Sequence, residues 1–153
     1  MQTNAYKTNK MNENAIVVRA GSPEDVPFVS ALERAVFSDP WSESAVAAHT
    51  VGPHLCFYIA EWAGERCGYL LGSLIPPEGE IYRVASLPTM RRRGIGDALC
   101  ARFLSEAQEA YLEVRKSNLA ARALYEKLGF SLIGERKNYY KDPTEDACLY
   151  RRG

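Results

Sequence analysis

Hydrophobic positions change their period several times along the chain, and each change marks an element. Residues 16–20, IVVRA, form a short β-rich run and predict a first strand. In the following GSPEDVPFVSALERAVF, Val26, Val29, Leu32, Val36 and Phe37 recur at three- and four-residue spacing, the period of an amphipathic helix. Ser22 is placed to cap it, Pro23 suits the first helical position, and Asp25 stands where the acid of a capping box stands. A second short helix is predicted after SDPW, capped by Ser42 and carried by Ala45, Val46 and Ala47. Two β-rich runs, LCFYIAEW and ERCGYLLGSLI, meet at Ala63-Gly64-Glu65 and predict a hairpin. EIYRVASLP predicts the next strand, ended by Pro88. Beyond Gly94 and Gly96, the stretch DALCARFLSEAQEA has the apolar spacing of a helix packed on a sheet, and YLEVR predicts a strand after it. SNLAARALYEKLGF predicts a helix capped by Ser117 or Asn118 and stopped by Gly129. SLIGERKNYY and ACLYRR predict two last strands.

The predicted order, β-α-α-β-β-β-α-β-α-β-β, implies an α+β fold: a mixed, mostly antiparallel sheet with helices on both faces. At 153 residues one domain is expected, over 15–153. Residues 1–14 are polar, without the apolar centre of a signal peptide, and predict a disordered leader; Met11 is an alternative start. No apolar run approaches the roughly 20 residues of a membrane span, so a cytoplasmic protein is expected. Lys plus Arg and Asp plus Glu are both 19, and that neutral balance argues against a broad nucleic-acid surface. Cys56, Cys67, Cys100 and Cys148 have no CxxC spacing, and His49 and His54 do not form a helical ligand pair. Free thiols and no metal are expected.

Against that neutral background RRRGIGD (91–97) stands out. Glycines between a strand and a helix let the backbone approach a phosphate, and the first helical turn points its free N–H groups at the negative charge. Arginines there add charge-assisted bonds. No lysine follows the glycines, as a P-loop requires, and Leu99 occupies the third glycine position of a dinucleotide fingerprint. A solvated glycine turn is the plain alternative.

The surroundings of this loop carry a resemblance. Arg91, Gly94 and Gly96 match the Gln/Arg-x-x-Gly-x-Gly/Ala motif of the GNAT N-acetyltransferase superfamily. Downstream, Asn118, Ala121, Leu124, Tyr125, Gly129 and Phe130 match a second motif of that superfamily, in the expected order. FSDPWSES, YLEVRKSNLAARALYEKLGF and ERKNYYKDPTEDACLY resemble segments of RimI-type ribosomal-protein alanine N-acetyltransferases. The resemblance runs from about residue 16 to the C-terminus. It implies acetyl-CoA as cosubstrate. Its pyrophosphate would lie on Arg91, Arg92, Arg93, Gly94, Ile95, Gly96 and Asp97, and its pantetheine arm along the backbone of Val84, Ala85 and Ser86. Asn118 would bond that arm. The implied acceptor is the N-terminal α-amine, usually of alanine, of a small-subunit ribosomal protein, held between Trp41 and the Tyr139–Tyr140 loop; the protein itself is expected to be a monomer.

Acyl transfer to an amine needs a group to remove the ammonium proton and a donor for the leaving thiolate. If Leu112 and Val114 face the core, strand alternation sends Glu113 to the opposite face, where a carboxylate serves as base; a structural ion pair, for instance with Arg115, is the plain alternative. The resemblance makes Tyr125 the general acid; a core tyrosine is its plain alternative. A GNAT enzyme acting on a lysine side chain or a small-molecule amine, and a non-catalytic acyl-CoA or RNA-associated module, are the competing readings. The chain departs from the family in three places. The stretch between the glycine loop and LEVR is short, so the helix ends early or residues are lacking there. Ser86 and Leu87 replace an aliphatic residue and an acid. Arg83 is unusual in its strand and bears on the acceptor groove.

Overall fold

The computed structural model describes residues 15–153; the leader expected over 1–14 lies outside the described residues. The elements are β1 Ile16–Ala20, a 3-10 turn Pro23–Asp25, α1 Val26–Val36, α2 Glu43–Ala48, β2 Leu55–Trp62, β3 Glu65–Ile75 and β4 Glu78–Ser86. A 3-10 turn Pro88–Met90 leads to α3 Ile95–Leu104, β5 Glu109–Arg115, α4 Leu119–Lys127, β6 Ser131–Tyr140 and β7 Glu145–Arg152. The seven strands form one sheet in the order β1-β2-β3-β4-β5-β7-β6. Every neighbouring pair is antiparallel except β4 with β5.

Strand alternation builds two cores, one on each face. Tyr58, Ala60, Leu70, Ile81, Leu112 and Val114 pack with Leu99, Phe103 and Tyr125 of α3 and α4. Phe57, Ile59, Tyr69, Leu71 and Ala85 pack with Val29, Leu32 and Val46 of α1 and α2. The central strands β2 and β3 are therefore buried on both sides, which is why they read as nearly continuous apolar runs. Helices on both faces of a mixed sheet are what the element pattern predicted.

Local chemistry explains the element ends. Asp25 accepts from the Ser22 main-chain N–H at 2.9 Å, closing the predicted box. It is also a buried charge hub: Arg19 grips it with two bonds of 2.8 Å and Arg66 Nε lies at 2.6 Å. The Arg19 guanidinium first, then Arg66, hold its carboxyl well below the usual carboxylate range against the opposing effect of burial. Asn118, not Ser117, caps α4, its Oδ1 accepting from Ala121 N at 3.2 Å.

Several boundaries shift by two or three residues, α1 beginning at Val26 after the 3-10 turn, β4 at Glu78 and β7 at Glu145; the largest shift is at the end of α3. The helix predicted over 97–110 ends at Leu104, and Glu109 and Ala110 belong to β5. The parallel pairing claims them: Glu109 and Ala110 stand opposite Glu78 and Gly79. The short segment is thus accommodated by an early helix end. No helix among the described residues is long and apolar enough to cross a membrane.

Candidate active site

β4 and β5 pair from Glu78↔Glu109 to Ile81↔Leu112 and no further. Beyond that point β4 stays on β3 as far as Ser86↔Gly68, and β5 stays on β7 as far as Arg115↔Ala147. A bulge helps them part: Leu71 stands opposite Arg83 and Gly72 opposite Ile81, so Tyr82 is the extra residue. Val84, Ala85 and Ser86 therefore lie on a stretch whose edge toward β5 carries no ladder. The opening is a cleft of about 70 Å³ whose walls include Val84, Glu113, Asn118, Tyr125 and Tyr140.

The glycine loop stands at the start of α3. Gly94 is the helix N-cap with φ +80°, a left-handed conformation that a side chain resists. A Cβ on it would meet nothing within 4 Å, so the space above it is open. Gly96 does a different job: a Cβ there would come within 3.0 Å of Leu124 Cδ2, so its bareness lets α3 lie on α4. Arg92 also has a positive φ, +64°. Arg91, Arg92 and Arg93 are exposed, and the Arg93 guanidinium sits 5.3 Å over the Trp62 ring. Ile95 is buried in the core, leaving its main-chain N–H as its part of any cradle. The Asp97 carboxylate lies 3.3 Å from Lys127 Nζ and so braces α3 to α4. An open N-terminus on a ten-residue helix, ringed by cations, fits a pyrophosphate.

Glu113 faces away from Leu112 and Val114, as alternation requires. It lines the cleft and also a larger cavity of about 360 Å³ walled by Ile75, Glu80, Tyr111, Ile133, Arg136 and Leu149 among others. Its ion-pair partner is Arg136, with Nε 3.3 Å from Oε1, and not Arg115. The Glu113 carboxylate raises the Tyr139 phenol; burial, then Glu113, push Tyr140 up to about 12. The two tyrosine rings meet edge to face at 5.1 Å. Tyr125 is 5 % exposed and packs edge-on against Phe130 at 5.7 Å. Burial raises its phenol far above the ordinary tyrosine value, so it keeps its proton throughout the neutral range.

The structure brings Glu113, Tyr125, Asn118, Val84 and Tyr140 to one cleft. Trp41 lies outside both cavities. Its main-chain N–H donates to Glu33 Oε1 at 2.8 Å, and its ring stacks on His49 at 4.5 Å and against Arg83 at 5.2 Å. Among the described residues no cluster of three or more His, Cys, Asp or Glu has the geometry of a metal site.

Sequence reasoning missed Phe37 and Arg115 in the cleft, Glu80 and Arg136 beside Glu113, and Glu33 behind Arg83. Glu33 is fully buried and holds the Tyr69 hydroxyl, the Trp41 amide and Arg83. It had a legible signal: a carboxylate on the apolar stripe of α1, one turn past Val29.

The family model for the acetyltransferase (GNAT) family matches residues 26–130, more than half the chain. The [ribosomal protein bS18]-alanine N-acetyltransferase of Escherichia coli K12 is 33% identical over 82% of this chain and 88% of its own length. The N-alpha-acetyltransferase RimI of Mycobacterium tuberculosis is 34% identical over 90% of this chain and 92% of its own. A longer, uncharacterized Mycobacterium leprae protein is 36% identical, and the match spans 40% of its length. The crystal structure of the Escherichia coli ribosomal-protein-S18-alanine N-acetyltransferase superposes with a TM-score of 0.83 at 29% identity, covering 90% of this chain and 93% of that one. The chain belongs to the GNAT acetyltransferase family and resembles its RimI-type members. It is an acetyl-CoA-dependent N-acetyltransferase, with the GNAT fold.

Proposed function

We propose that the enzyme acetylates the N-terminal α-amine, starting with alanine, of a small-subunit ribosomal protein. The observation that carries this reading is the place of Glu113, at the junction of the narrow cleft and the wide groove. The cleft fits a slender arm and the groove a peptide, so the carboxylate stands where the two substrates meet. The names of the Escherichia coli and Mycobacterium tuberculosis relatives support the acceptor class.

Acetyl-CoA supplies the activated acetyl group when bound. The free edge at Val84, Ala85 and Ser86, with Asn118, holds its arm; the Gly94 turn and the N–H groups of Ile95 and Gly96 hold its pyrophosphate, with Arg91, Arg92 and Arg93 adding charge and Asp97 tying the first turn of α3 to Lys127 of α4. Glu113 takes a proton from the incoming ammonium, freeing the nitrogen lone pair for attack on the acetyl carbonyl carbon. The new C–N bond forms as the C–S bond breaks. Tyr125, neutral in its buried site, donates its hydroxyl proton to the departing sulfur, and the surplus proton left on the acylated nitrogen returns through water to the phenolate, so that amide, free thiol and protonated Glu113 remain. Trp41, outside both cavities, backs Arg83 on one wall of the cleft, and Tyr140, with Tyr139 packed on it, stands on the other, so these residues act where the acceptor's amine enters from the groove to reach Glu113.

Acetyl transfer from labelled acetyl-CoA to short peptides tests this. An alanine-start peptide should be labelled strongly, and the same peptide with a blocked N-terminus and a free lysine should stay near background. Equal labelling of the two peptides removes the α-amine assignment.

A further inference from the structure

After Ile81↔Leu112 main-chain pairing no longer sets the distance between β4 and β5. Side chains span the gap instead. Arg83 lies two residues beyond the last pair on β4, and Arg115 three beyond it on β5. Both reach Asp39, in the segment between α1 and α2. Arg115 Nη2 is 3.3 Å from Asp39 Oδ2, Arg83 Nη2 is 3.8 Å from Oδ1, and Arg83 Nη2 donates to the Asp39 carbonyl oxygen at 2.9 Å.

Each arginine is also anchored on its own side. Arg83 lies 3.4 Å from Glu33 and 4.0 Å over the Phe37 ring. Arg115 pairs with Glu145 at 3.2 Å, donates to the carbonyl oxygens of Lys141 and Pro143 at 2.7 and 2.9 Å, and sits 4.6 Å over the Tyr140 ring. Side-chain exposures of 11 % for Arg83, 16 % for Arg115 and 30 % for Asp39 shelter these pairs from much of the screening that weakens surface bridges. Arg83, Arg115 and Glu113 line the same cleft. Asp39 thus joins the two splayed strands, its carboxylate pairing with Arg115 and its carbonyl oxygen holding Arg83, and through these arginines it spans the two walls of the cleft.

We propose that Asp39 is a positioning residue: by tying Arg83 to Arg115 it sets the opening between β4 and β5, and with it the fit of the coenzyme's arm and the approach of the thioester to Glu113. This rests on the assignment of the arm to the cleft. The physical need is tight, because main-chain hydrogen bonds along the free edge tolerate only a few tenths of an ångström. No hydrogen bond or ion pair among the described residues links the Gly94 turn to the clasp, so the two ends of the coenzyme can be probed apart.

Calorimetric titration of the full chain with acetyl-CoA and with 3′-phosphoadenosine 5′-diphosphate, which lacks the arm, tests the proposal. Asp39→Asn should weaken acetyl-CoA binding about tenfold, raise its KM correspondingly, and leave the nucleotide affinity unchanged. Asp39→Glu should recover most of the loss. Arg115→Met should mimic Asp39→Asn, and the double variant should be little worse than either, as for two partners in one interaction. Wild-type acetyl-CoA affinity in Asp39→Asn overturns the proposal, and so does equal weakening of both ligands. A wild-type protein that binds the nucleotide but gains nothing from the arm overturns the arm assignment itself, a result separable from either of these.

Discussion

Two carboxylates, Asp25 and Glu113, sit in regions built on opposite terms. Around Asp25 every valence is closed: two arginines and a main-chain N–H lie within 2.9 Å, and the side chain is 1 % exposed. Around Glu113 the shell is loose: one arginine at 3.3 Å, a neighbouring tyrosine, two cavities, and 22 % exposure. A closed shell stabilises the fold and leaves the group nothing further to bond. An open one leaves lone pairs free for a substrate's protons.

Substitutions can break this contrast. Glu113→Gln is expected to lower turnover about 100- to 1,000-fold while Tm changes little, since Gln keeps the volume and loses only a loose ion pair; steady-state kinetics beside thermal melts read both. Asp25→Asn should do the reverse, costing about 2 kcal/mol of stability at neutral pH with turnover kept at low temperature. The sign with pH follows from the depressed native pKa: the contribution is present above the unfolded carboxylate pKa of about 4 and is lost as pH falls below it. The Tm gap between Asp25→Asn and wild type should therefore close on acidification, and a constant gap would mean that the hub's charge is not what stabilises it. Tyr125→Phe should lower turnover roughly tenfold or more with acetyl-CoA affinity kept, because proton donation is lost and packing against Phe130 survives. Gly94→Val should weaken coenzyme binding by about tenfold through its positive φ, whereas the exposed Arg92→Ala should change it by less than about threefold. Equal affinities in those two would count against a backbone cradle.

Much of this frame was legible along the chain. Caps, the Ala63-Gly64 hairpin, the amphipathic period of α1 and the glycine stop of α4 are signals between near neighbours, and each stands where local chemistry put it. Alternation along β5 also placed Glu113 correctly. What was not legible depends on partners far apart in sequence. Arg136 meets Glu113 only because β6 runs beside β7, and Asp39 meets Arg115 only because the segment between α1 and α2 reaches the end of β5. The end of α3 was missed for the same reason, since a strand pairing 31 residues upstream at Glu78 decides where Glu109 belongs. Gly94 and Gly96 looked alike in the motif, yet one answers to a dihedral angle and the other to a leucine on another helix.

The two tryptophans are the chain's only indoles, and each lies against an arginine. Trp62 carries the Arg93 guanidinium beside the glycine turn, while Trp41 carries Arg83 on a wall of the cleft. A phosphate that draws Arg93 away changes the surroundings of one fluorophore; a peptide that shifts that wall changes the other. Replacing each indole in turn by phenylalanine would give two variants with one emission signal each, one reporting on the glycine turn and one on the Arg83 wall of the cleft.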